Sequence, residues 1–169
     1  MSTTPRQKRD AAIAKYRPKK VELLLVAEAP PCTTDRYFYF EDVAEHDWLF
    51  RYVYKGLFGE TPERNQKAPA LARLQKAGVA LIDVSQEPIP DGAKKRLTED
   101  LFDALPARCK ALSPKAVILI RSNVFDGAYD RLVAAGLKVA DVRMPFPASG
   151  QQKKFEEAFA AALKQVGFK

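Results

Sequence analysis

One histidine and two cysteines are spread over 169 residues. Cys32 and Cys109 share no C-x-x-C spacing, and with a single histidine they cannot complete the four-ligand set of a structural zinc site. No metal is expected, and two reduced thiols fit a cytoplasmic chain. No run of 18 apolar residues occurs, so no membrane span is expected, and the opening MSTTPRQKRD lacks the apolar core of a secretory signal. Glycine-rich phosphate loops of the G-x-G-x-x-G or Walker type are missing, which disfavours a dinucleotide or nucleoside-triphosphate enzyme. There is no G-x-S-x-G elbow, and the lone His46 falls where a helix is expected, which argues against a triad hydrolase. Acidic residues are also in deficit: 21 Asp and Glu face 28 Lys and Arg, a net charge of +7. Such an excess suits a polyanionic partner, because neutralising phosphates releases their condensed counterions.

What is present reads as one folded domain, residues 1–169. The hydrophobic share of 47% is too high for disorder, and no low-complexity linker divides the chain. Residues 1–20 form a basic N-terminal arm or edge-covering helix, ended near Arg17-Pro18. After it, aliphatic runs alternate with helical spacing. LLLVA (23–27), VALID (79–83), AVILI (116–120) and LKVADV (137–142) read as four strands. Helices are expected over 41–58, with Val43, Phe50, Val53 and Leu57 on one face, and through Leu71 and Leu74 to a stop at Gly78. A third carries Leu97, Leu101 and Leu105 and is expected to break at Pro106. A fourth runs from Ser122 to Ala135 and closes at Gly136. The last spans about 151–165, with Ser149 and Gln152 placed to form a capping box. The pattern predicts an α/β fold: a three-layer α/β/α sandwich around a four-stranded parallel sheet.

Sites in such sheets form beyond the carboxyl ends of the strands. The first strand runs into Glu28-Ala29-Pro30-Pro31 and then the aromatics Tyr37, Phe38, Tyr39 and Phe40. The second ends at Asp83, the third at Arg121-Ser122-Asn123, and the fourth at the segment RMPFPASGQQKKF from Arg143. Carboxylates, arginines and aromatic rings from distant segments are thus predicted to meet in one crevice, able to stack on a flat base, orient a water and receive negative charge.

These strand ends resemble the motifs of the uracil-DNA glycosylase superfamily. VAEAPP matches the family's GEAPG form with Ala27 in place of glycine, and RYFYF supplies the aromatic that follows. Asp83 stands where the family has the asparagine of its second motif. MPFPAS (144–149) aligns with HPSPLS proline for proline, with Met144 at the histidine position. The likeness covers residues 21–160 in the right order. It implies a cofactor-independent, monofunctional enzyme of base excision repair that flips uracil out of single- or double-stranded DNA. Hydrolysis of the N-glycosidic bond would release free uracil and leave an abasic site. It further implies a monomer acting in the cytoplasm, at the nucleoid.

On that resemblance Glu28, Asp83 and Arg143 are the catalytic candidates: Glu28 to position water and favour the cationic sugar, and Arg143 or main-chain amides to stabilise the departing anion, with Arg143 equally suited to hold a phosphate. Ala27, Glu28, Phe38, Tyr39, Phe40 and Asp83 would form the base pocket, with Phe38 the first choice for stacking. An ionised Asp83 accepts from N3–H of uracil but repels O4, and it could equally accept from the amino group of cytosine. Pro31, Arg121, Ser122, Ser149, Gln151, Lys153 and Lys154 would contact the DNA strand, and Phe146 with Pro147 would fill the vacated stack. Lys94, Lys95 and Arg96 read as a solvated helix face. Two alternatives stay open: a catalytically silent relative that binds uracil or damaged DNA, and an unrelated α/β protein that binds a small ligand at the same strand ends.

Overall fold

A computed structural model describes residues 2–42, 47–90, 92 and 96–168 of the chain. Val43, His46, Lys94 and Lys95 lie outside the described residues. Along the chain run α1 (Pro5–Tyr16), β1 (Leu23–Ala27), α2 (Trp48–Phe58), α3 (Lys67–Lys76), β2 (Val79–Asp83), α4 (Glu99–Ala111), β3 (Val117–Leu119), α5 (Ser122–Ala134) and α6 (Gln152–Val166). A short 3-10 turn at Arg64–Gln66 leads into α3.

The strands form one parallel sheet in the order β2-β1-β3. Leu23 pairs with Val79 and Ala27 with Asp83 on one side of β1, and Leu24 pairs with Val117 on the other. Every residue of the three strands is buried. Successive side chains point to opposite faces. Leu23, Leu25, Ala27, Val79, Leu81 and Ile118 therefore join one core, packed with Phe50, Leu71, Phe155 and Phe159 of α2, α3 and α6. Leu24, Val26, Ala80, Ile82, Val117 and Leu119 join the other, packed with Phe102, Leu105, Val124 and Leu132 of α4 and α5. Helices thus cover both faces, as the unbroken aliphatic runs require.

Four expectations are corrected. The sheet has three strands: the segment expected as a fourth, 137–142, makes only a single parallel bridge from Val139 to Val117. Gly136, at φ 87°, turns the chain out of α5. Leu137 is half-buried and Lys138 exposed, with Asp141 also exposed, so too few apolar residues follow in alternation to hold a full strand. The helix expected from 41 begins at Trp48. Pro106 does not interrupt α4, which runs on to Ala111; Leu97 precedes that helix. A proline removes one helical hydrogen bond, but buried Leu105 and Cys109 on either side of it hold the turn against the sheet. Finally, Ser149 does not cap α6. Ser149 (φ 54°) and Gly150 (φ 82°) form a tight left-handed turn closed by the Gln151 N–H on the Ala148 carbonyl at 3.1 Å, and Gln151 is the cap residue. A capping serine needs extended backbone, which this turn denies it.

The N-terminal segment is a docked helix. Thr4 and Gln7 form a reciprocal capping box at the start of α1, and Pro5 sits at its first position. Arg9 and Tyr16 are its buried residues, and Gln75 of α3 donates to the carbonyls of Lys15 and Arg17 at its end.

The strand order places a switch point beside the carboxyl end of β1: its chain leaves towards β2, whereas β3 lies on the other flank.

Candidate functional site

At that switch point the aliphatic run of β1 stops at Glu28. The Glu28 carboxylate is buried and accepts bonds from three side chains. Arg96 donates through Nε at 3.1 Å to both oxygens and through Nη2 at 2.9 Å to Oε1. Arg121 Nη1 donates to Oε1 at 2.8 Å, and Asn123 Nδ2 donates to Oε2. Burial alone would raise this carboxyl. The bonds from Arg96 and Asn123, with the charge of Arg121, outweigh it and hold Glu28 below the usual carboxylate range. The cluster is one carboxylate between two guanidiniums, so it carries a net positive charge.

Arg121 reaches Glu28 from the cap position at the start of α5, with a backbone of φ 87° and ψ 140°. Only glycine adopts that region freely, and holding another residue there costs about 1–3 kcal/mol. Asn123 follows two residues on, with its Oδ1 buried and unpartnered among the described residues.

Asp83 ends β2 on the other flank. Its Oδ2 accepts from the Tyr37 hydroxyl at 2.9 Å. Burial pushes the Asp83 carboxyl up to about 6, against the Tyr37 bond and the charges of Arg108 and Arg9, while Glu28 adds to the rise. Burial and the Asp83 charge together push the Tyr37 phenol far up, so it stays a donor.

The two carboxylates share a cavity of about 350 Å³. Its wall includes Ala27, Pro31, Phe38, Trp48, Arg121 and Phe146 besides Glu28 and Asp83. Phe38 is held edge-on by Phe50 (centroids 5.4 Å apart) and by Tyr39 (5.1 Å). The backbone behind it is fixed by a buried ion pair: Lys67 Nζ donates to the Tyr37 carbonyl at 3.0 Å and to the Asp47 carboxylate. Burial drives both towards neutrality, Lys67 down and Asp47 up, and their mutual attraction opposes it.

Of the residues singled out from sequence, the cavity therefore gathers Ala27, Glu28, Pro31, Phe38, Asp83, Arg121 and Phe146. It does not gather the rest. Tyr39 is core: its hydroxyl accepts the Leu81 N–H at 2.7 Å on the free edge of β2. Phe40 is buried beneath Lys8, whose Nζ lies 4.6 Å from the ring centroid. Arg143 makes a two-pronged pair with Asp126 at 2.8 and 3.0 Å on the surface. Met144 is fully buried and Pro147 is buried; Ser149, Lys153 and Lys154 are exposed, and Ser122 and Gln151 half-exposed, away from the cavity wall.

Sequence reasoning missed Asp47 and Lys67, read Arg96 as a solvated face, and placed Tyr37 and Asn123 at the strand ends without their bonds to Asp83 and Glu28. Arg96 sits 68 residues from Glu28 at the end of a basic run, where nothing local distinguishes it from a solvated lysine. Asn123 carried the one available signal, two residues past a strand end. No family model matches the chain, and no curated protein matches it.

Proposed function

We propose that the chain is a uracil-DNA glycosylase-like enzyme that takes a flipped base into the 350 Å³ cavity and hydrolyses its N-glycosidic bond. The observation that carries this reading is the convergence of Glu28, Phe38, Asp83 and Arg121 on one cavity at the carboxyl edge of the sheet. Phe38 offers an aromatic face to a planar ring. Asp83 offers Oδ1, which accepts no bond from the described residues, to a ring N–H. Arg96 and Arg121 supply the positive charge that a departing base anion needs, the task first assigned to Arg143. Glu28, ionised and saturated by donors, accepts no proton and instead holds the two guanidiniums at the cavity. Net charge +7 supports a DNA partner.

A second reading is favoured by the same saturation. With both oxygens of Glu28 occupied and Met144 in the core, the cavity suits a relative that holds an extruded base without cutting it. One experiment separates the two. A single-uracil oligonucleotide is incubated with the protein and abasic sites are then cleaved with alkali. Strand breaks that disappear in folded Asp83→Asn and Arg121→Met variants support excision. Salt-sensitive binding without breaks supports the silent relative, and no binding at low salt refutes both.

A further inference from the structure

A second cavity, of about 550 Å³, lies along the free edge of β2, on the far side of Tyr37 and Asp83 from the first. One face of α1, with the Arg17 that caps its end, forms one wall: Arg9, Asp10, Ile13, Ala14 and Arg17, spaced by three and four. The end of α4 forms the other, with Arg108, Ala111 and Leu112. The two helices flank the β2 edge from opposite faces of the sheet and leave an open cleft between them. Its volume lies within the roughly 300–1,000 Å³ of small-molecule sites.

The charges facing it are unusual. Arg9 is 7% exposed, and its guanidinium donates to the Gln86 carbonyl at 3.2 Å and reaches Glu87 at 3.3 Å. Arg108 is half-buried and, among the described residues, donates to two carbonyls, those of Asp83 at 2.8 Å and Val84 at 3.0 Å. Neither Arg108 nor Arg17 makes an ion pair among the described residues, although the Asp83 charge acts on Arg108. Three arginines face two acids in the cavity: Asp10 reaches outward to Arg6 at 3.6 Å, and Asp83 accepts from Tyr37 while its charge is shared by Arg9 and Arg108. Carbonyls leave a guanidinium's charge unneutralised, and a planar donor fork fits a phosphate oxyanion. The apolar walls, Ile13, Ala14, Ile82 and Leu112, fit the body that carries it.

From this geometry we infer that the α1–α4 cavity binds a phosphomonoester, with Arg108 and Arg17 as its phosphate ligands. The phosphate belongs either to a free mononucleotide or to the 5′ end of a DNA strand. The inference does not depend on base excision, because its readout is binding.

Calorimetric titration of the full chain uses thymidine 5′-monophosphate against thymidine, and a 5′-phosphorylated oligothymidine against its 5′-hydroxyl form. Tenfold or greater preference for the phosphorylated member of either pair is expected, and the pair showing it identifies the source. The same preference is expected to fall at least tenfold in Arg108→Met and in Arg17→Gln. Arg108 pins two carbonyls and its loss can unfold the chain; Arg17, on the exposed rim, keeps the test decisive. Equal binding of both members in both pairs overturns the inference. So does an affinity unchanged in Arg17→Gln, or one lost in Phe38→Ala, which would place the ligand in the other cavity.

Discussion

Replacing Glu28 by glutamine tests the centre of the site with a near-isosteric change. Glutamine keeps one acceptor oxygen but turns the other into an NH2 group that faces donors from Arg96, Arg121 and Asn123. Hydrogen bonds to charged groups contribute about 1.5–3 kcal/mol each. The guanidiniums regain part of their loss from water, since Arg96 and Arg121 are 35% and 40% exposed. Destabilisation of about 2–4 kcal/mol is the result, out of the roughly 5–15 kcal/mol of an ordinary domain. For a chain of this size it lowers Tm by about 5–15 °C. Urea unfolding at pH 7 measures it. The pH dependence supplies a second check. The folded Glu28 carboxyl is depressed, so its contribution is present above the unfolded value of about 4.3 and is lost as pH falls through the folded one. The gap between wild type and Glu28→Gln therefore narrows below about pH 4. A difference under about 1 kcal/mol at pH 7, or one that does not shrink in acid, refutes the clamp described above.

Asp83 has the opposite sign. Its folded pKa of about 6 lies above the unfolded value of about 3.9, so its contribution is fully present below about pH 4 and is lost as pH rises through 6. Asp83→Asn is expected to remove that slope from a stability–pH profile, and a slope unchanged in the variant counts against a buried, desolvated Asp83. Tyr39→Phe strips the acceptor from the Leu81 N–H and is expected to cost about 1–3 kcal/mol by chemical denaturation, with no loss in the cavity itself. Lys67→Met leaves Asp47 buried without its cation and is expected to cost about 3–5 kcal/mol; the double change Lys67→Met with Asp47→Leu should recover part of it, and a purely additive double variant would sink the account of a buried pair.

The layers of the fold were legible because they rest on periodicity. LLLVA and VALID are buried on both faces, and runs of that kind admit little else. Glycines at 78 and 136 marked helix ends because their left-handed backbone is what a helix stop demands. The weaker strand was misread because 137–142 has strand-like residues but pairs at Val139 alone, and pairing is a property of the neighbour rather than of the segment. The site was half legible. Glu28 and Asp83 could be placed because a carboxylate at the end of an apolar strand has only loop and crevice around it. Their partners could not. Arg96, Arg121 and Asn123 meet Glu28 across 68, 93 and 95 residues of chain, and Arg143 instead found Asp126 on the surface. Long side chains choose partners by tertiary geometry, which no local pattern encodes. Tyr37 to Phe40 misled for a related reason: four consecutive aromatics look like a binding surface, yet Tyr39 and Phe40 mainly seal the edge of β2 and the core beneath α1.

The twisted backbone at Arg121 sets two demands on a single codon. A glycine there would relax the peptide, worth about 1–3 kcal/mol, but would strip a charged hydrogen bond of similar size from the buried Glu28. Laboratory evolution for thermal survival alone would therefore find little to gain from Arg121→Gly, because the strain and the clamp nearly cancel.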